Sequence, residues 1–167
     1  RCSSKRSMVE EDADWRKIFS AERVNQRACA FCEIIQGRRR AHIVFEDEYS
    51  MAFLDSKPLF PGHTLIVPTR HYETLADLPR EEIPRLFANV KLLAEAVEAA
   101  MSSDGSFVAI NNRVSQSVPH LHVHVVPRKH GDGLKGFFWP RTKYPSEEEA
   151  ERVATMIRAK IQELRKN

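Results

Sequence analysis

The sequence predicts an α+β fold, an antiparallel sheet built around one long helix. Three observations carry this. Five short runs rich in Val, Ile, Phe and Leu are each bounded by Pro, Gly or charged turn residues. One stretch has apolar residues at helical spacing over about five turns. The strand-like runs are grouped around that stretch and do not alternate with several helices, so a parallel βαβ sheet is not indicated.

Taken in order, the chain begins Arg1-Cys2-Ser3-Ser4-Lys5-Arg6-Ser7, which is basic, serine-rich and without an apolar centre. It does not read as a secretory signal. It reads either as a disordered tail or as the stump of an organelle transit peptide. Trp15, Ile18 and Phe19, with Val24 further along, predict a short amphipathic helix or arm over residues 10–26. Residues 42–46 and 49–55 read as two strands joined by the polar turn Glu46-Asp47-Glu48. Pro58 and Pro61-Gly62 then break the chain, and residues 63–67 form a third strand closed by Pro68.

From Pro79 to about Met101, Ile83, Leu86, Phe87, Val90, Leu93, Ala94 and Val97 fall at steps of three and four. This is the long helix, with Asp77 or a neighbour as its cap and Pro84 tolerated in its first turns. Ser102-Ser103-Asp104-Gly105 ends it. Residues 107–110 and 121–126 are the last two strands. The tract from Gly133 to Arg141, rich in aromatics, reads as a lid, a dimer contact or a loop under the last helix. Ser146-Glu147-Glu148-Glu149 opens a final helix through Val153, Met156, Ile157 and Ile161 to a basic end. The expected organisation is a tail and short helix (1–28), one domain (29–145) and a C-terminal helix packing on it (146–167).

Composition narrows the function. The chain has 167 residues, 42% hydrophobic and 29% charged, a globular balance for one domain. Its net charge of +3 is too mild to call for nucleic acid, and it has no apolar run near the ~20 residues of a membrane span. Two of the three cysteines sit as Cys29-Ala-Phe-Cys32. That spacing reads as reduced thiols, a redox pair or two metal ligands, and hence an intracellular, cytoplasmic setting.

The most informative segment is Gln116-Ser117-Val118-Pro119-His120-Leu121-His122-Val123-His124-Val125-Val126. Side chains alternate across a strand, so the three imidazoles share one face while Leu121, Val123 and Val125 enter the core. Three protonated rings in line would repel, so at least one is expected to be neutral and able to act as nucleophile or ligand. Two readings follow: a catalytic metal site, or a histidine that attacks phosphorus while its neighbours orient it and move protons. Flanking residues favour the second. No Asp or Glu lies between Gly105 and Gly131, and Gln116 with Ser117 makes a donor-rich turn suited to phosphate oxygens.

These residues resemble the signature of the histidine triad (HIT) superfamily of nucleotide hydrolases and transferases. Cys29-Ala-Phe-Cys32-Glu-Ile-Ile, the stretch from Ala52 to Pro68, and Pro127-Arg128-Lys129-His130-Gly131-Asp132 extend the resemblance over about residues 29–132. It implies a five-stranded antiparallel sheet, a homodimer, and two-step chemistry on a nucleoside phosphoanhydride or phosphoramidate. His122 is then the nucleophile and His124 the group that contacts phosphate and helps protonate the leaving group. Ser117 and Gln116 hold the phosphate or leaving group, and His63 supports the histidine network. Asp55 is matched to the ribose hydroxyls, Phe31, Ile34, Phe53 and Leu54 to the walls of a purine pocket, and Asn111 to the ribose or phosphate.

The resemblance also implies a structural zinc on Cys29, Cys32, His71 and His120. One departure is the loop at residues 111–115, which is short and has no glycine. Two other functions remain as alternatives: a nucleotide-binding or scaffolding domain with little catalysis, and a metal-dependent hydrolase. A DNA-adenylate repair enzyme is disfavoured because no cysteine follows His124.

Overall fold

A computed structural model describes residues 29–134 and 144–164. The helix expected over residues 10–26, and residues 135–141 of the aromatic tract, lie outside the described residues. The chain forms two compact units, one ending at His130 and the other starting at Gly131.

The first unit contains α1 (Ala30–Ile35), β1 (Ile43–Glu46), β2 (Ser50–Leu54), β3 (Thr64–Pro68), a short 3-10 turn (Leu75–Asp77), α2 (Ile83–Met101), β4 (Gly105–Ile110) and β5 (Val123–Arg128). The strands form one antiparallel sheet in the order β1-β2-β3-β5-β4. The expected fold class is the observed one.

Period-two alternation sorts the sheet's residues between two cores. Ala52, Ile66, Leu121, Val123 and Val125 face α2, where Leu86, Val90, Leu93 and Val97 complete a buried cluster. Met51, Phe53, Leu65 and Val67 face the other way, onto Cys29, Phe31, Cys32 and Ile34 around α1. Burying each such side chain contributes roughly 1.5–3 kcal/mol, so both faces resist a register slip. The pairing Leu65↔His124 puts His124 on the α1 face, and the pairing Ile66↔Val123 puts Val123 on the α2 face.

Four local differences from the sequence reading have physical causes. The long helix starts at Ile83, because the Glu82 amide donates to the Pro79 carbonyl in a turn of its own (3.0 Å). Asp77 does not cap that helix. Its carboxylate accepts from the Thr74 amide (2.9 Å) and hydroxyl (2.6 Å), which closes the 3-10 turn. Phe87 lies on the solvent side of α2 at 39% exposure, since the buried stripe of Leu86, Val90, Leu93 and Val97 leaves it off the sheet. The last strand begins at Val123, two residues late, although the Leu121 amide still donates to the Tyr72 carbonyl (2.6 Å) and so remains tied down.

Gly62 makes the tight approach from β2 to β3. Its φ is +93°, and a Cβ there would stand 2.6 Å from Met101 Cγ.

The second unit holds α3 (Glu147–Leu164). Ser146 Oγ accepts from the Glu149 amide (3.2 Å), and three glutamates occupy the first turn, as a helix N-terminus favours. Among the described residues no helix is long and apolar enough to cross a membrane.

Candidate functional site

The three histidines leading into and along β5 turn toward the α1 face, where Phe31 of α1 stands edge-on to His120 and His122. His120 and His122 are buried, with 0% and 2% exposure, so this face of the sheet is a second packed layer and not a solvated one. Buried imidazoles need partners, and each ring has a distinct set.

His122 Nδ1 lies 2.7 Å from the carbonyl oxygen of His120. A carbonyl only accepts, so Nδ1 carries the proton and the neutral ring keeps its lone pair on Nε2. Phe31 stands edge-on to this ring at 5.2 Å and 82°, and the His124 ring is 5.0 Å away.

His124 is set by a relay that begins outside the triad. The Leu59 amide donates to His63 Nδ1 (3.1 Å), which fixes the proton of neutral His63 on Nε2. That N–H donates to His124 Nδ1 (2.9 Å). The proton of neutral His124 must then sit on Nε2, which is buried and has no hydrogen-bond partner among the described residues. A buried donor without a partner costs about 1–3 kcal/mol, and at a site it marks where a ligand acceptor belongs. Burial, followed by the neighbouring His122 and His63, pushes the His124 pKa down to about 4. His63 is also lowered, by burial first, while Asp55 raises it in part. Both rings are therefore neutral near pH 7. Asp55 Oδ2 is 3.7 Å from His63 Nδ1, a proximity and not a hydrogen bond, because Leu59 already fills that nitrogen.

The expected pocket wall comes together in part. Phe31 and Phe53 meet edge-on at 5.3 Å, and Ile34 is buried in the same cluster. Leu54 stands apart from that buried cluster. It follows Phe53 on β2, pairs with Thr64 on the opposite pleat and is 38% exposed. Asp55 is half-buried just beyond it.

Ser117 is exposed, and Asn111 is half-buried at the end of β4. Neither side chain has a hydrogen bond among the described residues. Gln116 is engaged elsewhere. Its Nε2 donates to the Glu73 carbonyl (2.6 Å), and its Oε1 accepts from the Arg113 amide (2.7 Å). Asn112 makes a parallel brace, accepting from the Leu75 amide (2.9 Å). The glycine-free loop thus hangs on residues 73–75, with Arg113 (φ 65°) and Ser115 (φ 59°) both left-handed.

A second cluster lies beside the first. Cys29, Cys32, His71 and His120 bring one donor atom each within 4.8 Å of one another. His120 Nδ1 is 3.5 Å from both sulfurs, and His71 Nδ1 is 3.3 Å from Cys32 Sγ. A tetrahedral zinc with two sulfur and two nitrogen ligands has ligand–ligand edges of ~3.3–3.8 Å, so the donor set fits such an ion. His120 Nε2 donates to the Pro68 carbonyl (3.0 Å), the outer bond that aims Nδ1 at the sulfurs. Burial, then Cys29, pushes the Cys32 thiol up to about 12.

A family model described as the HIT domain matches residues 36–131, more than half of the chain. The chain belongs to the HIT family. An uncharacterized HIT-like protein from Methanocaldococcus jannaschii is 42% identical over 106 residues, 63% of this chain and 82% of that one. Adenylylsulfatase HINT3 of Arabidopsis thaliana is 36% identical over 65% of this chain and 56% of its own length. The crystal structure of a Zn-bound histidine triad family protein from Mycobacterium smegmatis matches with TM-score 0.62 and 33% identity, covering 83% of this chain and 99% of that one. HIT relatives of this chain thus include a nucleotide hydrolase by name.

Sequence reasoning missed two residues of this HIT site. Leu59 acts through its amide, which any residue except proline supplies, so no side-chain pattern could reveal it. Asn112 carries a weak signal, because Asn side chains readily bond nearby backbone in loops.

Proposed function

We propose that this HIT protein is a nucleotidyl hydrolase or transferase acting through a covalent nucleotidyl-histidine on His122. The single observation that carries it is the pair of opposed nitrogens. The carbonyl of His120 leaves the His122 lone pair on Nε2, while the Leu59–His63 relay leaves an N–H on His124 Nε2.

His122 Nε2 attacks the α-phosphorus and forms a P–N bond as the P–X bond breaks. The leaving group X takes the bonding pair. His124 Nε2–H donates to an oxygen gaining charge in the transition state, where a buried donor has its greatest effect. Water then attacks the same phosphorus and releases the nucleoside monophosphate and His122; an acceptor alcohol or phosphate in place of water makes the reaction a transfer. Asp55 accepts from the ribose hydroxyls, Phe31, Ile34 and Phe53 contact the base, and Ser117 donates to phosphate. A purine base and a homodimer are supported by the family resemblance.

Cys29, Cys32, His71 and His120 would hold a structural zinc. When bound, it supplies the charge that keeps two buried sulfurs as thiolates. His120 would then anchor the strand with its ring while its carbonyl positions His122.

The test uses nucleotides radiolabelled on the α-phosphate (adenylyl sulfate, adenosine phosphoramidate and diadenosine tetraphosphate) with an alkaline denaturing quench, because the P–N bond of a nucleotidyl-histidine survives base and hydrolyses in acid. Label should stay on the intact protein and be lost in His122→Gly, with turnover partly restored by added imidazole. A His122→Gly protein with undiminished turnover ends the proposal. The braced Gln116 favours a second reading, a nucleotide-binding domain with little catalysis; tight AMP binding without label on His122 would select it.

A further inference from the structure

Arg38, Arg39 and Arg40 follow one another between α1 and β1, all three exposed, and neither the fold nor the histidine chemistry uses them. Their backbone is fixed. Gly37 sits at φ +70° and its amide donates to the Ile34 carbonyl (2.9 Å). The amides of Arg38 and Arg39 both donate to the Glu33 carbonyl, at 2.8 and 3.1 Å. Helix α1 therefore ends in a closed C-cap that hands a rigid chain to the arginines.

The loop borders the candidate nucleotide site on its nucleoside side. It leaves α1, which supplies Phe31 and Ile34, and enters β1, which pairs with β2 next to Phe53. The Leu54 amide donates to the His42 carbonyl (3.0 Å), so the chain just after Arg40 and Ala41 lies against the strand end that leads to Asp55. The loop that carries Lys57 leaves the same strand end, three residues after Leu54. Lys57 is exposed, and its amide donates to Asp55 Oδ1 (2.8 Å).

None of Arg38, Arg39, Arg40 and Lys57 has an ion pair or a side-chain hydrogen bond among the described residues. Other cations are paired: Arg70 with Glu82 and Lys91 with Glu95. The charge of Arg38 reaches the Cys32 thiol, which assigns it to the cysteine side. Arg39, Arg40 and Lys57 remain, with Asp55 as the opposing carboxylate.

We propose that Arg39, Arg40 and Lys57 form a subsite for a second anion, a phosphate carried on the 2′ or 3′ oxygen of the nucleotide's ribose. The inference rests on the nucleotide reading given above and deepens it by naming a substrate class, ribose-phosphorylated nucleotides. His124 lies on β5 and His122 just before it, with β2 and β3 standing between β5 and β1, so the attacking imidazoles and the arginine loop belong to different parts of the sheet. Guanidinium groups bind phosphate through paired N–H donors, and three cations outweigh one carboxylate. Asp55 still has the unmodified ribose hydroxyl to accept from.

The experiment is calorimetric binding of AMP, adenosine 3′,5′-bisphosphate, adenosine 2′,5′-bisphosphate and ADP to the whole chain and to the Arg39→Ser/Arg40→Ser/Lys57→Ser variant. One of the ribose bisphosphates should bind the native chain about tenfold tighter than AMP, the discounted worth of exposed charge-assisted contacts. In the variant that ratio should fall to within about twofold, while the ADP-to-AMP ratio stays as it was. An Arg39→Lys/Arg40→Lys variant, which keeps the charge, should retain most of the advantage. AMP binding with no bisphosphate gain overturns the subsite, as does a gain that survives in the serine variant. An equal loss for ADP also overturns it, because the cations would then steer any polyanion. AMP that fails to bind at all overturns the nucleotide site itself.

Discussion

Replacing His63 tests whether a residue outside the triad sets the proton on His124. His63 receives the Leu59 amide on Nδ1 (3.1 Å) and gives its Nε2–H to His124 (2.9 Å). The two neutral forms of an isolated imidazole differ little in energy, so this one bond decides which nitrogen of His124 is the donor. His63→Leu removes it. The lost bond is worth about 1 kcal/mol net, and the acceptor left bare in a buried site adds about 1–3 kcal/mol against the productive form. Together these terms come to about 2–4 kcal/mol, and at about 1.4 kcal/mol per factor of ten the rate of transfer to His122 should fall roughly 30- to 700-fold. His63→Gln places an amide N–H close to where the ring Nε2 stood and should recover a large part of the loss. Single-turnover labelling of His122 gives the rate, and long-range proton–nitrogen spectra of the His124 ring give the tautomer. If His63→Leu keeps both the Nε2–H form and the native rate, or if Gln performs no better than Leu, the relay has no role.

Other expectations follow from the same geometry. Purified protein should hold one zinc per chain, and chelation, Cys29→Ser or His71→Ala should lower the melting midpoint by about 10 °C or more; a metal-free protein with the same midpoint would exclude a structural ion. His124 titrates near 4 when folded and His63 is lowered as well, against ~6.5 in an unfolded chain. The unfolded chain therefore takes up protons first as pH falls, so stability is full above ~6.5 and declines toward ~4. Urea midpoints across that range should show the slope, and His124→Gln should flatten it. Ser115→Gly and Arg113→Gly should each raise stability by about 0.5–1 kcal/mol, because both positions hold left-handed backbone; unchanged urea midpoints would count against strain in that loop.

The two-sided burial of the sheet was only half legible in the chain. Leu121, Val123 and Val125 announce the α2 core through simple alternation, and the histidines between them announce a reactive face. That α1 would pack on that face was harder to read, since six residues are too few for a periodic signal. The helix start was misplaced because Asp77 has the chemistry of a cap, and only the fold reveals that it serves Thr74. Leu54 and Phe53 are neighbours on a strand and so face opposite ways, a separation that a shared apolar run does not display. Whether the Gln116 amide meets a ligand or the Glu73 carbonyl depends on a loop at residues 73–75 that sequence separation hides. The cysteine pair, His71 and His120 came together as expected, because a metal-type cluster constrains four positions at once.

The strand order has a consequence for how the molecule is made. β3 and β4 do not pair with each other; β5, the last of the described strands to leave the ribosome, slots between them and supplies both ladders. Before residues 123–128 emerge, a nascent chain has a three-stranded meander and one orphan strand, with no closed sheet and no assembled imidazoles. The segment that is to carry the chemistry is also the keystone of the architecture, so a truncated or stalled polypeptide of this kind is inert as well as unfinished.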